Sequence, residues 1–259
     1  MPFAQLEDVR IQYDLAGPES APILVFSNSL GATLSMWDPQ MPTFQKQFRV
    51  LRYDTRGHGQ SSVTPGPYTI EQLARDVLAL LDELHIDRVY FCGLSMGGQT
   101  GMWLALNAAD RFHKLVLCNT AAKIGTPEIW NPRIEAVRKG DMKSISTGVM
   151  ERWFSAEYRA KSPDVIASTK LVFEGANPEG YVANCAAIRD FDARDAIAGI
   201  KIPTLVIAGT HDVATTPAEG HYLADHIPGA RYVELSAAHL SNIENRDRFN
   251  TELSTFLLS

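Results

Sequence analysis

Two hydrophobic periods run through the chain. Short apolar runs bounded by glycine, proline or polar residues occupy Arg10–Leu15, Ile23–Ser27, Arg49–Tyr53, Val89–Gly93, Leu115–Asn119, Thr204–Gly209 and Arg231–Leu235. From Ile23 onward most of them are continuous rather than alternating, the pattern of strands buried on both faces. Between them, Ile70–Leu84, Ser95–Ala109, Pro217–His226 and Arg246–Leu258 carry helical patterns. In the first of these, Leu73, Val77, Leu80, Leu81 and Leu84 fall on one face. Strands alternating with helices predict an α/β fold with a mostly parallel, twisted sheet and right-handed crossovers.

The alternation breaks between Lys123 and Arg189. The pattern there is helical and irregular, with Pro127, Pro132, Pro163 and Pro178 as breaks, and regular order resumes at Ile202. A helical insertion between two strands of one sheet predicts a cap over the sheet's C-terminal edge, where open α/β sheets bind ligands. The expected organisation is a core of residues 1–122 and 190–259 and a cap of residues 123–189. No repeat, low-complexity tract or flexible linker intervenes.

Composition narrows the function. With 259 residues, 45% hydrophobic and 21% charged, the chain suits a single α/β enzyme and excludes bulk disorder. A net charge of -6 argues against nucleic acid and anionic membranes as partners, because both demand basic surface. No apolar stretch approaches about 18 residues, and Met1–Gln5 shows neither a basic nor an apolar leader region. The expectation is a cytoplasmic protein without membrane association. Cys92, Cys118 and Cys185 match neither a disulfide framework nor a zinc pattern and read as buried thiols in a reducing compartment.

The strongest chemical signal is Cys92-Gly93-Leu94-Ser95-Met96-Gly97-Gly98. Its G-x-S-x-G lies directly after a predicted strand and directly before a predicted helix, the context of a nucleophile elbow. A chance glycine-rich strand-to-helix turn would not require partner residues. Ser95 does require them, since a hydroxyl attacks only when a base takes its proton. His239 follows the last strand on a loop at the C-terminal edge and is the expected base. His58, in the loop after the third strand, is the rival, with a structural loop role as its other reading. Asp212 follows the strand Thr204–Gly209 and precedes His239, so it is the expected acid that orients the imidazole. Asn119 occupies the alternative acid position and cannot carry charge; His211 reads as a neighbour of Asp212. The order Ser95, Asp212, His239 is the one an α/β hydrolase uses. A tetrahedral intermediate needs backbone donors, assigned to the N–H groups of Met96 and of Leu30, in the loop after Ile23–Ser27.

These segments resemble an α/β hydrolase along the whole chain, and more narrowly the 3-oxoadipate enol-lactonases. The resembling residues are Phe26-Ser27-Asn28-Ser29-Leu30-Gly31 with Met36-Trp37-Asp38, then Arg52-Tyr53-Asp54-Thr55-Arg56-Gly57-His58-Gly59, Gly66-Pro67-Tyr68-Thr69-Ile70 and Phe91–Gly98. The elbow and the D-x-R-G-H-G loop are superfamily features. Asn28-Ser29 in place of the usual His-Gly is the discriminating piece. The resemblance implies hydrolysis of the enol-lactone of 3-oxoadipate in bacterial breakdown of protocatechuate and catechol, with no metal or cofactor. A fused decarboxylase, carried by some members, has no room here.

Such a substrate carries a carboxylate, so the pocket needs a cation. Residues 123–190 hold ten Lys and Arg against nine Asp and Glu, whereas the remainder holds 14 against 21. Within the cap, Asn131-Pro132-Arg133 reads as a helix N-cap followed by the first two helical positions. Arg133 would oppose the helix dipole there and, with the helix N-terminus, would make a carboxylate site, while Trp130 would wall the ring pocket. The other reading is a solvated arginine and a buried tryptophan. Rival activities on the same triad are a general carboxylesterase, a carbon–carbon bond hydrolase and a perhydrolase; a small-ligand receptor is the rival of another class. Ser95 at the elbow argues against a dehalogenase, which would place Asp there.

Overall fold

In the computed structural model, which describes residues 1–259, the apolar runs form one eight-stranded sheet. Its strands are β1 (Phe3–Gln5), β2 (Arg10–Ala16), β3 (Ile23–Ser27), β4 (Arg49–Tyr53), β5 (Val89–Leu94), β6 (Phe112–Cys118), β7 (Thr204–Gly209) and β8 (Arg231–Leu235). The spatial order is β1-β2-β4-β3-β5-β6-β7-β8. β1 pairs with β2, and β2 with β4, in antiparallel fashion; every other pairing is parallel. The continuous apolar runs have a direct cause. Leu24 and Phe26 belong to one hydrophobic core while Val25 belongs to a second, and Cys92 and Phe91 divide in the same way. Alternate residues of a central strand thus enter cores on opposite sheet faces, each buried side chain contributing about 1.5–3 kcal/mol.

The helices are α1 (Met41–Phe44), α2 (Ile70–Glu83), α3 (Met96–Asn107), α4 (Pro127–Gly140), α5 (Lys143–Trp153), α6 (Ala156–Lys161), α7 (Pro163–Glu174), α8 (Pro178–Asp190), α9 (Pro217–His226), α10 (Ser241–Glu244) and α11 (Arg246–Leu258). α2 starts where the Thr69 side chain accepts from the N–H of Gln72 at 3.1 Å, satisfying one orphan donor of the first turn. It packs Ala74, Val77, Leu80 and Leu81 into the same core as Met102 and Ala105 of α3 and Leu223 of α9. α11 closes the other face with Phe249, Leu253, Phe256 and Leu257. No helix is long and apolar enough to cross a membrane.

Five helices, α4–α8, lie between β6 and β7 and form the helical cap. Pro127, Pro163 and Pro178 each stand at the start of a helix, where a missing N–H costs nothing. Pro132 differs. The sequence places it at the first position of a helix capped by Asn131, but α4 begins five residues earlier and Pro132 lies inside it. Thr126 is the extended N-cap, and the buried Trp130 ties its indole N–H to the carbonyl of Ile124 at 2.7 Å. That anchored turn fixes the earlier start. Arg133 is therefore beyond the first turn of its own helix, so the N-terminus of α4 does not adjoin it and the dipole argument for its placement fails.

Gly97 shows how tightly β5, α3 and β3 are joined. A Cβ there would run into the carbonyl of Ser27. Gly97→Ala is expected to cost roughly 1–3 kcal/mol through overpacking, read as a lower denaturation midpoint in urea, whereas Gly175→Ala, where φ is -81° and a Cβ would meet nothing closer than 3.4 Å, should cost less than half as much.

Candidate active site

The elbow at the end of β5 sets the geometry. Ser95 has φ 58° and ψ -113°, a conformation that no regular element supplies. Its N–H donates to the carbonyl of Cys118 at 2.9 Å, its carbonyl accepts from the hydroxyl of Thr120 at 2.7 Å, and the N–H of Gln99 closes on the same carbonyl at 3.0 Å. The backbone is thus held from three sides while the side chain faces a cavity of about 520 Å³. Leu30, Trp130, Arg133 and His239 line the same cavity.

Asp212 lies behind His239. Its Oδ2 accepts from His239 Nδ1 at 2.8 Å, from the Thr215 hydroxyl at 2.8 Å and from the Asn119 amide at 3.0 Å. Its Oδ1 accepts from the N–H groups of Ala214 at 2.8 Å and Thr215 at 3.0 Å. Burial alone would raise this carboxyl's pKa. The opposing charge of His239 and the surrounding donors outweigh it and bring the pKa down to about 2. The imidazole consequently has a fixed carboxylate at Nδ1, and Nε2 is left for chemistry. No hydrogen bond joins Ser95 Oγ to His239 in the structure; such contacts commonly tighten only when substrate arrives.

The loop after β3 supplies the other half of the site. Asn28 is fully buried: its amide donates to the carbonyl of Tyr53 at 2.8 Å, its Oδ1 accepts from the Trp37 indole at 3.0 Å, and its carbonyl accepts from Gly97 at 3.1 Å. The Asn28-Ser29 pair therefore ties the loop to β4 and to the elbow. The N–H of Gly31 donates to His58 Nε2 at 2.8 Å, and the N–H of Ser29 points to the Met36 sulfur at 3.4 Å. Between these two anchored residues, the N–H of Leu30 has no protein acceptor, and neither does that of Met96 at the start of α3. These are the two donors that the sequence nominates.

The remaining histidines separate cleanly. His58 spends its Nε2 lone pair on Gly31 and is buried, which lowers its pKa to about 4. It is a strut of the Leu30 loop rather than a base. His85, His211, His221 and His226 are exposed, and His113 is half-buried against Tyr90. Asn119 is the residue whose part the sequence did not reveal. It leaves β6 at φ 44° and bridges Asp212, the carbonyl of Ala238 and the hydroxyl of Ser241. Its place at a strand end was the available signal. Arg152 and Trp153 also line the cavity, and neither carries a motif. Arg133 sits with its guanidinium carbon 5.4 Å from the Trp130 ring centre, joining the two residues nominated for the pocket. Cys92, Cys118 and Cys185 are all buried and free.

Comparison with known proteins agrees with this architecture. Residues 22–147 match the alpha/beta hydrolase fold family. The chain is 43% identical to 3-oxoadipate enol-lactonase 2 of Acinetobacter baylyi over 94% of its own length and 91% of the relative's. The chain belongs to the enol-lactonase family of α/β hydrolases. A second A. baylyi protein, 3-oxoadipate enol-lactonase 1, is 41% identical to this hydrolase over 96% of the chain and 93% of the relative. The crystal structure of an enol-lactonase from Burkholderia xenovorans superposes on the hydrolase with a TM-score of 0.98 at 52% identity, covering all of both chains.

His58 gives the hydrolase a measurable acid sensitivity. Its folded pKa of about 4 lies below the ordinary 6.5, so the unfolded chain binds the proton first. Stability is full above about pH 6.5, falls as pH drops toward 4, and the whole penalty is on the order of 3 kcal/mol at most. Denaturant titrations of wild type and His58→Gln between these limits should differ in slope by close to one proton. Parallel curves would place the acid sensitivity elsewhere.

Proposed function

We propose that this hydrolase opens 3-oxoadipate enol-lactone to 3-oxoadipate, with Ser95 as nucleophile, His239 as general base and acid, and Asp212 as the group that orients His239. The observation that carries the reading is one cavity lined by Ser95, a carboxylate-backed His239, Leu30 with its free N–H and a cap cation, with the free N–H of Met96 directly after Ser95 in the chain. The named activity of relatives at 41–43% identity supports the choice of substrate.

In the proposed reaction His239 Nε2 takes the Ser95 proton as Oγ attacks the lactone carbonyl. The N–H groups of Leu30 and Met96 stabilise the oxyanion, and Asp212 stabilises the imidazolium. Collapse breaks the ring C–O bond. The enol oxygen leaves and takes the proton from His239, giving an acyl-enzyme with a tethered enol. Tautomerisation of that enol to the ketone removes the group that could reclose the ring. His239 then draws a proton from water, hydroxide adds to the acyl carbon, and Ser95 departs reprotonated. No step draws on a metal or cofactor. Arg133 takes the substrate carboxylate and Trp130 walls the ring.

The same reading divides the chain into a core of residues 1–122 and 190–259 and a cap of residues 123–189, because β6 and β7 are neighbours in the sheet and only the cap helices separate them. It places the enzyme in the cytoplasm, acting on a small anionic lactone, without a nucleic-acid or membrane partner.

Ser95→Ala, Asp212→Asn and His239→Ala should each lower kcat on the enol-lactone by about a thousandfold or more while remaining folded, and combining them should add little, since the three act as a unit. A serine-directed phosphonate that labels another residue would sink the assignment. Arg133→Ala should reduce kcat/KM on the anionic lactone by roughly tenfold or more, the worth of a charge-assisted hydrogen bond. Wild-type enzyme that hydrolyses a simple aryl ester but ignores the lactone would make it a general carboxylesterase instead.

A further inference from the structure

The active-site cavity holds a second cation. Arg152, in the last turn of α5, is half-buried and lines the cavity with Arg133. Its Nη1 lies 3.8 Å from the position a Cβ on Gly148 would take, and Gly148 lines the cavity as well. The guanidinium therefore lies along the cavity-facing side of α5.

Arg133 and Arg152 are the two cap cations that line the cavity, and neither has a carboxylate partner. Arg138, Lys139, Lys161, Lys170 and Arg189 each pair with an acidic neighbour in the cap. Arg133 and Arg152 pair with none, although both lie in a largely apolar cavity. Two buried polar atoms beside them are also unpartnered: Nε of Arg133 and the hydroxyl of Tyr181. The Tyr181 ring centre is 5.8 Å from the Arg133 guanidinium carbon, and Tyr181 is fully buried. Burial and the charge of Arg133 both act against the charged form of Arg152 and lower its pKa. Two like charges facing one half-enclosed space repel, and the neighbouring Glu151 offsets this only in part, without an ion pair to either arginine. An anion in the cavity would complete the compensation.

We propose that Arg152 is a specificity-determining residue that acts with Arg133 on one ligand carboxylate, so that the site selects esters and lactones whose acyl part ends in a carboxylate. The proposal rests on the Ser95 reading only for where the ester sits. A carboxylate has two oxygens and about four acceptor positions. One guanidinium fork fills two of them, and a second cation fills the rest. A neutral ligand, by contrast, would seal two unpaired cations away from water, which is how a polar site rejects an analogue lacking the complementary group.

The test uses two esters of matched length, para-nitrophenyl hemiglutarate and para-nitrophenyl valerate, which differ by a terminal carboxylate against a methyl. The readout is the ratio of their kcat/KM values. Arg152→Met should lower the hemiglutarate value roughly ten- to a hundredfold and leave the valerate value within about twofold or raise it. Arg152→Lys should recover part of the ratio, since it restores charge without the planar fork. In Arg133→Met the effect of Arg152→Met should change, because two residues on one carboxylate are coupled. An equal fall for both esters, or no fall for either, overturns the proposal. Glutarate binding by calorimetry is a second readout that needs no turnover: it should weaken at least about tenfold in Arg152→Met, and unchanged affinity also overturns the proposal. If the wild type turns over neither ester nor the enol-lactone, the Ser95 reading fails, and calorimetry still judges Arg152.

Discussion

Holding Ser95 at φ 58° and ψ -113° costs on the order of 1–3 kcal/mol for a residue with a Cβ, and the conformation survives only because its surroundings leave no other. β6 supplies the acceptor for the Ser95 N–H, Thr120 beyond β6 donates to its carbonyl, and the loop after β3 accepts from Gly97. Three parallel strands must therefore be in register before the serine can be presented. The sheet is the device that stores this strain, and the stored geometry lifts the hydroxyl clear of both β5 and α3.

The loop carrying Leu30 obeys the complementary rule. A useful oxyanion donor is a backbone N–H with no partner, yet a loop with unpartnered groups is free to move. The molecule resolves this by fixing the residues on either side. Asn28 and Ser29 are tied to Tyr53, Trp37 and Met36, Gly31 is tied to His58, and the N–H of Leu34 donates to Asp54 at 2.8 Å. Asp54 and His58 belong to the Asp54–Gly59 loop, whose Arg56 is itself clamped between Asp8 and Asp76 at 2.7 and 2.6 Å. Conserving motion out of one N–H thus takes charged and polar residues from β1's neighbourhood to α2. The acid side follows the same logic: five hydrogen bonds fix the Asp212 carboxylate, so the His239 ring is held in one orientation.

The core strands were readable because their constraint is local. Burial on both faces forces a continuous apolar run, and β3, β4, β7 and β8 have the bounds the runs predict. The strand β1 is three residues long, too short to show a period. β6 begins at Phe112 rather than Leu115 because its first turn of sheet, with His113 and Lys114, is half-buried and mixed in polarity. The elbow was legible because strain demands glycine at fixed offsets. Asn119 was not, since an amide that orients a carboxylate needs only proximity in space. In the cap two start signals compete within six residues, Thr126-Pro127 and Asn131-Pro132. Both satisfy the local rule, and the packing of Trp130 decides between them, which no pattern of residues announces.

That decision shapes the cavity. A helix starting at Pro127 carries Pro132 in its interior and forgoes a hydrogen bond to the carbonyl of Glu128, a placement that costs up to about 3 kcal/mol in an isolated helix. The burial of Trp130 and its indole bond to Ile124 offset that loss. In return Trp130, Pro132 and Arg133 all line the cavity that Ser95 lines. Had α4 begun at Pro132, Trp130 would have stood outside the helix and Arg133 in its first turn, with the indole and the guanidinium no longer held side by side by one helical surface. The fold thus trades regularity in the cap for a wall that combines an apolar ring and a fixed charge, just as it trades backbone strain in the core for a serine that lines the cavity. In both halves the locally unfavourable element is the one that lines the cavity.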